Sequence, residues 1–171
     1  ATHRVARGAE SRKAAVAGAK RFVFLSSLHV HGKTAGQAIG PGAPFKGDNA
    51  YGRSKAEAEA ALAAVAAEIG LELIVLRPPM IYGRGSKGSF PLLAKLVRTG
   101  LPLPFAAARG KRSFCSIANA VSALRHVIAA PAPAPVLLPA DPEDFDTAGL
   151  VTLMAESMDR RVPLYPVPRP L

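Results

Sequence analysis

The stretch "FVFLSS" at residues 22–27 is an unbroken apolar run that ends in two serines. A run of this kind is typical of a strand that is buried on both faces of a parallel sheet. A second such run, "LELIVLR" at residues 71–77, comes after a long loop and a helix predicted at residues 51–69. A strand, a helical crossover of this length and a second strand together predict a parallel βαβ unit. The two runs therefore place the chain in the α/β class.

The segments outside this unit continue the alternation of helices and strands. Hydrophobic periodicity and glycine or proline boundaries predict four more helices and two short strands. The helices are predicted at residues 4–18, 90–99, 119–128 and 147–158, and the strands at residues 112–117 and 136–138.

Composition limits the classes of function. The 171 residues include one cysteine, Cys115, which excludes a disulfide framework and fits a reducing cytoplasm. No apolar run approaches the roughly 20 residues of a membrane span. The four histidines lack the spacing of metal ligands, so no metal site is expected. The net charge of +10 raises nucleic acid as a partner, but scattered basic residues, no tryptophan and 6% aromatics argue against it.

The helix at residues 51–69 carries the first chemical signal. Tyr51 and Lys55 are four residues apart in "YGRSK", so they lie on one face of the first turns. An ammonium near a phenol stabilises the phenolate, and such a tyrosine can exchange a proton with a carbinol oxygen. The pair alone is also common by chance in helices. The pair indicates a catalytic site only in combination with a third group that binds the substrate oxygen.

Ser26 and Ser27 supply that third group. They end the first predicted strand, at the edge where parallel sheets place groups that bind ligands. The Ser27 hydroxyl can donate a hydrogen bond to a carbonyl or accept one from an alcohol. Two serines at a strand end are also ordinary turn residues. The serines, the tyrosine and the lysine in this order favour a site at the carboxyl edge of the sheet.

One glycine pattern argues for a different site. "GRGSKG" at residues 83–88 matches G-x-G-x-x-G, the pattern of a dinucleotide-binding turn. Five residues separate it from the preceding strand. No acidic residue follows about 20 positions later, where such a residue would bind the ribose. We therefore interpret it as a loop beside a ligand.

Four segments together resemble the extended short-chain dehydrogenase/reductase family, in its NAD-dependent nucleotide-sugar epimerase, dehydratase and 4-reductase branch. They are "FVFLSSLHVHG", "AYGRSKAEAE", "LRPPMIYGRG" and "KRSFCSI". The resemblance implies the C-terminal part of a Rossmann-like, doubly wound parallel sheet with a small α/β substrate-binding lobe. It divides the chain into a partial dinucleotide-binding domain, residues 1–80, and a substrate lobe with returning sheet elements, residues 81–171.

The resemblance also assigns roles to residues. Tyr51 would be the acid/base, Lys55 would hold the nicotinamide ribose, and Ser27 would bind the reacting sugar oxygen. NAD or NADP would lie against Tyr51, Lys55 and three further residues: Ser26, Pro78 and Pro79. The nucleotide sugar would contact Ser27, Met80, Ser89, Phe90, Leu103, Phe105 and Arg112, with Arg112 on the diphosphate. For Phe90, Leu103 and Phe105, core packing is the alternative.

The chain differs from this pattern in one large respect. The family's opening strand and glycine-rich turn are absent, so the sequence resembles an internal excerpt of a longer enzyme. We expect this piece alone to bind NAD(P) weakly or not at all and to be inactive. The edge of its first strand would be exposed, which favours association. The resemblance also implies a homodimer through the helix of Tyr51 and Lys55 and the helix before it.

Two substitutions bear on the reaction. Leu28 and His29 stand where 4,6-dehydratases carry an Asp-Glu pair, so elimination of water would lack its acid and base. Met80 stands where many 4-epimerases have an asparagine. The expected activity is hydride transfer at C4 of a UDP-sugar, by an epimerase or a 4-reductase. The alternatives are a non-catalytic fragment or scaffold with this fold and, ranked lower, a basic nucleic-acid-binding domain.

Overall fold

The computed structural model describes residues 2–33, 37–86 and 88–167, with the backbone alone for residues 2–8. It contains helices and short strands in alternation, as the sequence predicts. The helices are α1 (Thr2–Val16), α2 (Ala50–Ile69), α3 (Ser89–Arg98), α4 (Ile117–Ala129) and α5 (Thr147–Ser157). The strands are β1 (Arg21–Leu25), β2 (Glu72–Leu76), β3 (Met80–Tyr82), β4 (Phe114–Ser116) and β5 (Val136–Leu137), and a 3-10 helix spans Leu28–His31.

The chain divides into two compact units. The first comprises residues 1–79 and 118–140, and the second comprises residues 80–117 and 141–171. The sheet of the first unit has the order β1-β2-β5, and both pairings are parallel. The predicted parallel α/β sheet is therefore confirmed.

Helices cover both faces of the sheet of the first unit. On one face, Phe24 and Val75 pack against Ala58 and Leu62 of α2. On the other face, Ile74 and Leu76 pack with Val127 of α4, a residue with no exposed surface. Burial of alternate residues on opposite faces explains the continuous apolar runs of β1 and β2.

Burial on both faces does not extend along all of β1. The Leu25 side chain is 50% exposed, so the sequence prediction of a fully buried strand is wrong at this residue. β1 pairs with β2 alone within the described part of the chain, so its other edge is open there. Side chains project from the two faces of a strand, so the exposure of Leu25 shows that its face is uncovered at the end of β1.

The sheet of the second unit pairs β3 with β4 in parallel. Its core is a cluster formed mainly by α3 and α5, with Val97, Leu103, Val151, Met154 and Ala155 buried in it. The sequence did not predict β3, because its three residues directly follow Pro78 and Pro79 and look like a continuation of that loop.

Residues at its two ends fix the length of α2. The Asn49 side chain accepts a hydrogen bond of 2.8 Å from the Gly52 backbone N–H, which satisfies a free donor of the first turn. At the other end, Gly70 has φ 65°, the left-handed conformation that ends many helices. Across the described residues, no helix is both long enough and apolar enough to cross a membrane.

Candidate functional site

Ser26 and Ser27 lie at the carboxyl end of β1, alongside the chain that leaves β2. The Ser26 N–H donates to the Leu76 carbonyl at 2.7 Å, and the Leu28 N–H donates to the Pro78 carbonyl at 2.9 Å. Both serines are buried. These bonds continue the strand pairing past the ends of the strands and fix Ser27 next to Pro78.

Tyr51 and Lys55 lie on the first turns of α2, as predicted. The Lys55 Nζ donates to the carbonyl of Leu25, the last residue of β1, at 2.8 Å. The same nitrogen is 5.8 Å from the centroid of the Tyr51 ring and 5.1 Å from that of Phe24. The Tyr51 side chain is 53% exposed. A solvent-facing phenol and a fixed ammonium therefore lie together at the carboxyl edge of the sheet.

His29 connects the serine to the tyrosine. Its Nδ1 is 3.0 Å from the Ser27 Oγ, and its ring meets the Tyr51 ring edge-on, with centroids 5.7 Å apart. Ser27, His29, Tyr51 and Lys55 therefore form a continuous chain of contacts, here called the edge cluster. The sequence predicted no role for His29 beyond a departure from the dehydratase pattern, although its position two residues after Ser27 is a local signal.

The first turn of α2 needs a glycine to approach this cluster. A Cβ at Gly52 would collide with the backbone carbonyl of His29, which cannot move as a flexible side chain can. We expect Gly52→Ala to lower the free energy of unfolding by about 1–3 kcal/mol, although alanine in an open helical position is favourable by about 1 kcal/mol. Urea unfolding measures this, with Gly42→Ala, where nothing lies within 4 Å, as the control. A stabilised Gly52→Ala protein would contradict the close approach.

A buried ion pair joins the elements that carry the edge cluster. Arg77, which follows β2, contacts the Glu59 carboxylate of α2 through Nε at 3.1 Å from both oxygens and through Nη2 at 2.6 Å. The Ser26 hydroxyl donates to the same carboxylate. Both charged side chains are about 5% exposed. Glu59 is one turn beyond Lys55, so the carboxylate fixes the helix that carries Tyr51 against the end of β1.

Arg77 also holds the loop that follows the 3-10 helix. Its Nη1 donates to the Pro41 carbonyl at 2.8 Å and lies 3.2 Å from the Nε2 of His31. The His31 Nδ1 is 3.1 Å from the Pro44 carbonyl oxygen. Because a carbonyl only accepts, Nδ1 carries the proton and Nε2 accepts from Arg77. The sequence predicted no role for Arg77, Glu59 or His31.

A separate pocket lies within the second unit. It has a volume of about 350 Å³, and Arg112 is the single charged side chain among the described residues that line it. Phe90 and Phe105 contribute aromatic surface to it, and the Ser89 Oγ is 3.9 Å from the Met80 Sδ at its wall. An apolar pocket with one cation suits a ligand with a flat ring and a negative group.

Tyr82 and Asp141 make specific contacts within the second unit, and Tyr82 contacts a residue that lines this pocket. The Tyr82 ring stacks on Phe90 with centroids 4.9 Å apart. The hydrogen bond between Tyr82 and the Asp141 carboxylate raises the pKa of Tyr82, and the burial of the phenol is the second cause of this shift. Asp141 accepts from the Ser116 N–H at 2.9 Å. Burial raises the pKa of the Cys115 thiol, with the Asp141 charge as the second cause, so this cysteine is a poor nucleophile.

The structure therefore places the predicted residues in three settings. Ser26, Ser27, Tyr51, Lys55, Pro78 and Pro79 belong to the first unit, and Met80, Ser89, Phe90, Phe105 and Arg112 line the pocket of the second. Leu103 is placed differently. It is 6% exposed in the core of the second unit and does not line the pocket, which agrees with the packing alternative.

Comparison with known proteins gives consistent matches. The sequence profile of the "NAD dependent epimerase/dehydratase family" matches residues 5–137. A UDP-glucose 4-epimerase of Vibrio cholerae is 38% identical over 166 residues, 92% of this chain and 49% of that protein. An N-acetyl-alpha-D-glucosaminyl-diphospho-ditrans,octacis-undecaprenol 4-epimerase of Escherichia coli O157:H7 is 28% identical over 159 residues, 90% of this chain and 47% of that protein.

A solved structure shares the fold. RMD from Pseudomonas aeruginosa, complexed with NADPH, superposes with a TM-score of 0.81 at 18% identity, over 96% of this chain and 61% of that one. This likeness confirms the predicted Rossmann-like architecture. The chain spans about half the length of the curated relatives that it matches. The profile match and the 38% identity show that the chain belongs to the NAD-dependent epimerase/dehydratase family.

Proposed function

We propose that this chain is the acid/base and substrate-binding part of an NAD(P)-dependent enzyme that epimerises a UDP-sugar at C4. The edge cluster carries the proposal, because it joins a hydroxyl, a phenol and an ammonium at the carboxyl edge of a parallel sheet. The 38% identity to a UDP-glucose 4-epimerase favours epimerisation over net reduction.

In this proposal three groups of the edge cluster have one task each. Tyr51 takes the proton of the sugar hydroxyl and later returns one, which its exposure permits. Ser27 orients the reacting oxygen through its hydroxyl. Lys55 provides the positive charge that a phenolate needs nearby. The bound nicotinamide would accept the hydride from the sugar carbon and return it.

The residues around the cluster fit such a cofactor. The Lys55 ammonium is fixed on the β1 carboxyl end by the Leu25 carbonyl, where parallel sheets bind nucleotides. Pro78 and Pro79 follow β2 at the same edge, and Pro78 is held against Leu28. We assign Ser26, Pro78 and Pro79 to the cofactor side of the site, together with Tyr51 and Lys55.

The pocket of the second unit is proposed to bind the nucleotide. Phe90 and Phe105 offer flat apolar surface for a base, while Arg112 offers forked donors for a diphosphate. Met80 and Ser89 complete the wall that faces the ligand. Leu103 is left out of this assignment because it is a core residue.

UDP binding tests the pocket. We expect Arg112→Gln to weaken UDP binding about tenfold or more, since a hydrogen bond to a charged group is worth about 1.5–3 kcal/mol. Titration calorimetry with UDP measures the effect. Arg125→Gln, an exposed change on α4 of the first unit, is the matched control. Equal affinity in wild type and Arg112→Gln would remove Arg112 from the diphosphate site.

The reaction itself is tested with the complete protein that contains this chain. UDP-glucose is supplied with catalytic NAD or NADP, and the C4 configuration of the product is read by NMR. The proposal predicts interconversion of the two C4 epimers without net consumption of cofactor. Stoichiometric oxidation of the reduced cofactor by a UDP-4-keto-sugar, with no epimerisation, would instead identify a 4-reductase.

A further inference from the structure

Residues 41–48 lead into α2 without forming a helix or a strand, and they are here called the strap. Two carbonyls of the strap face buried side chains. The Pro41 carbonyl accepts from the Nη1 of Arg77 at 2.8 Å, and the Pro44 carbonyl accepts from the Nδ1 of His31 at 3.1 Å. The Nε2 of His31 accepts from the same Arg77 nitrogen at 3.2 Å. One arginine and one histidine therefore hold the strap at two points.

Two further contacts hold the middle of the strap. The Phe45 ring centroid lies 4.9 Å from the guanidinium carbon of Arg77 and 6.0 Å from the centroid of the His31 ring. The Lys46 N–H donates to the carbonyl of Val30, in the 3-10 helix, at 2.9 Å. Most residues of the strap are exposed, so these contacts, rather than burial, hold it in place.

Close backbone approaches connect the strap to both of its neighbours. A Cβ at Gly32, which ends the 3-10 helix, would collide with the carbonyl of Lys46. A Cβ at Gly47 would lie 2.8 Å from the backbone nitrogen of Arg53, at the start of α2. Tyr51 belongs to the same part of α2. Because tightly packed segments transmit displacements, the position of Tyr51 depends on that of the strap.

We infer that His31 is a positioning residue that fastens the strap and thereby fixes Tyr51. The His31 ring is 1% exposed and joins Arg77 on one side to the Pro44 carbonyl on the other. Arg77 is itself held by the buried Glu59 carboxylate, so the ring fastens the strap to a fixed point. This inference rests on the proposed function, in which Tyr51 is the acid/base group.

The first test does not depend on catalysis. The complete protein is labelled with 3-fluorotyrosine, the 19F signal of Tyr51 is assigned from Tyr51→Phe, and exchange of the Lys46 amide proton is followed in parallel. We expect His31→Leu to speed that exchange about tenfold, because the strap loses a hydrogen bond to a buried partner. The same change should shift the Tyr51 signal and leave that of Tyr165, in the second unit, unchanged.

Two further variants separate the strap from a general loss of stability. Phe45→Ala removes a half-exposed ring that contacts a guanidinium, and about threefold faster exchange at Lys46 is expected. It serves the same test at the surface should His31→Leu not fold. Gly42→Ala adds a methyl group to the strap where nothing lies within 4 Å, and should match the wild type. Wild-type exchange in Phe45→Ala and His31→Leu would overturn the fastening, and faster exchange with an unmoved Tyr51 signal would overturn the link to Tyr51.

The second test uses the reaction of the complete protein. We expect His31→Leu to lower kcat for epimerisation about tenfold or more with UDP binding unchanged, since a displacement of about 1 Å can cost about 10²-fold in rate. His31→Gln should recover most of the rate, because one amide can accept from Arg77 and donate to the Pro44 carbonyl. An equal loss in His31→Leu and His31→Gln would overturn the hydrogen-bonding role. A Tyr51 signal that moves while kcat keeps its wild-type value would instead contradict the acid/base role of Tyr51 in the proposed function.

Discussion

Replacement of Tyr51 by phenylalanine is expected to lower the rate of C4 epimerisation in the complete protein by about 10²–10⁴-fold, the usual contribution of a positioned acid/base. The change removes one oxygen from a side chain that is 53% exposed, so the packing of α2 should be preserved. Lys55 would keep its bond to the Leu25 carbonyl, and Ser27 would keep its contact with His29. The loss should therefore fall on kcat, with little change in the binding of UDP.

Tyr165→Phe is the matched control for this change. Tyr165 is 46% exposed and belongs to the second unit. The change therefore removes the same oxygen from a similarly exposed tyrosine that lies outside the edge cluster. We expect its rate to equal that of the wild type. If Tyr51→Phe retained the wild-type rate in the same assay, the phenol could not be the acid/base group.

Removal of the Glu59 carboxylate should produce the largest loss of stability. Glu59→Gln leaves the Arg77 guanidinium buried without its counter-charge, which ordinarily costs about 3–5 kcal/mol. The amide keeps one acceptor oxygen, for which the Ser26 hydroxyl and the Arg77 guanidinium would then compete. Urea unfolding should show a lower midpoint with an unchanged slope, because stability changes while the buried area stays similar.

A surface pair and a double replacement control this experiment. Arg12 and Glu68 also form a two-contact ion pair, but both side chains are well exposed, so Glu68→Gln should change the midpoint little. The double change Glu59→Met with Arg77→Met should recover much of the loss, since neither charge is then buried alone. If Glu59→Gln were no more destabilising than Glu68→Gln, the pair would not support the edge cluster as described.

Local sequence patterns predicted the strands that lie between two helices and the helix that ends at a glycine. The apolar runs of β1 and β2 sit between α2 and α4, so their composition alone indicates two buried strands. The end of α2 at Gly70 is equally readable, because the left-handed conformation favours glycine. β3 was missed because three residues after a Pro-Pro pair carry no periodicity.

For the site residues too, contacts within one helix could be predicted from the sequence and contacts between elements could not. Tyr51 and Lys55 are one helical turn apart, so their proximity follows from spacing alone. The Glu59–Arg77 pair joins positions 18 residues apart on different elements, and that pairing depends on how α2 docks against β2. Glu59 did give a local signal, as an acidic residue one turn beyond Lys55. The contact between His29 and Tyr51 likewise depends on the path of the 3-10 helix.

The most direct test of the account follows the hydride itself. The complete protein is mixed with a UDP-sugar that carries deuterium at C4, and the absorbance of the reduced nicotinamide is followed in single turnover. The account predicts that reduced cofactor forms during turnover, more slowly than with the protiated sugar, and that Tyr51→Phe suppresses this signal. Epimerisation without any reduced cofactor, or with no isotope effect at C4 under these single-turnover conditions, would contradict the assignment of the edge cluster as a hydride-transfer site.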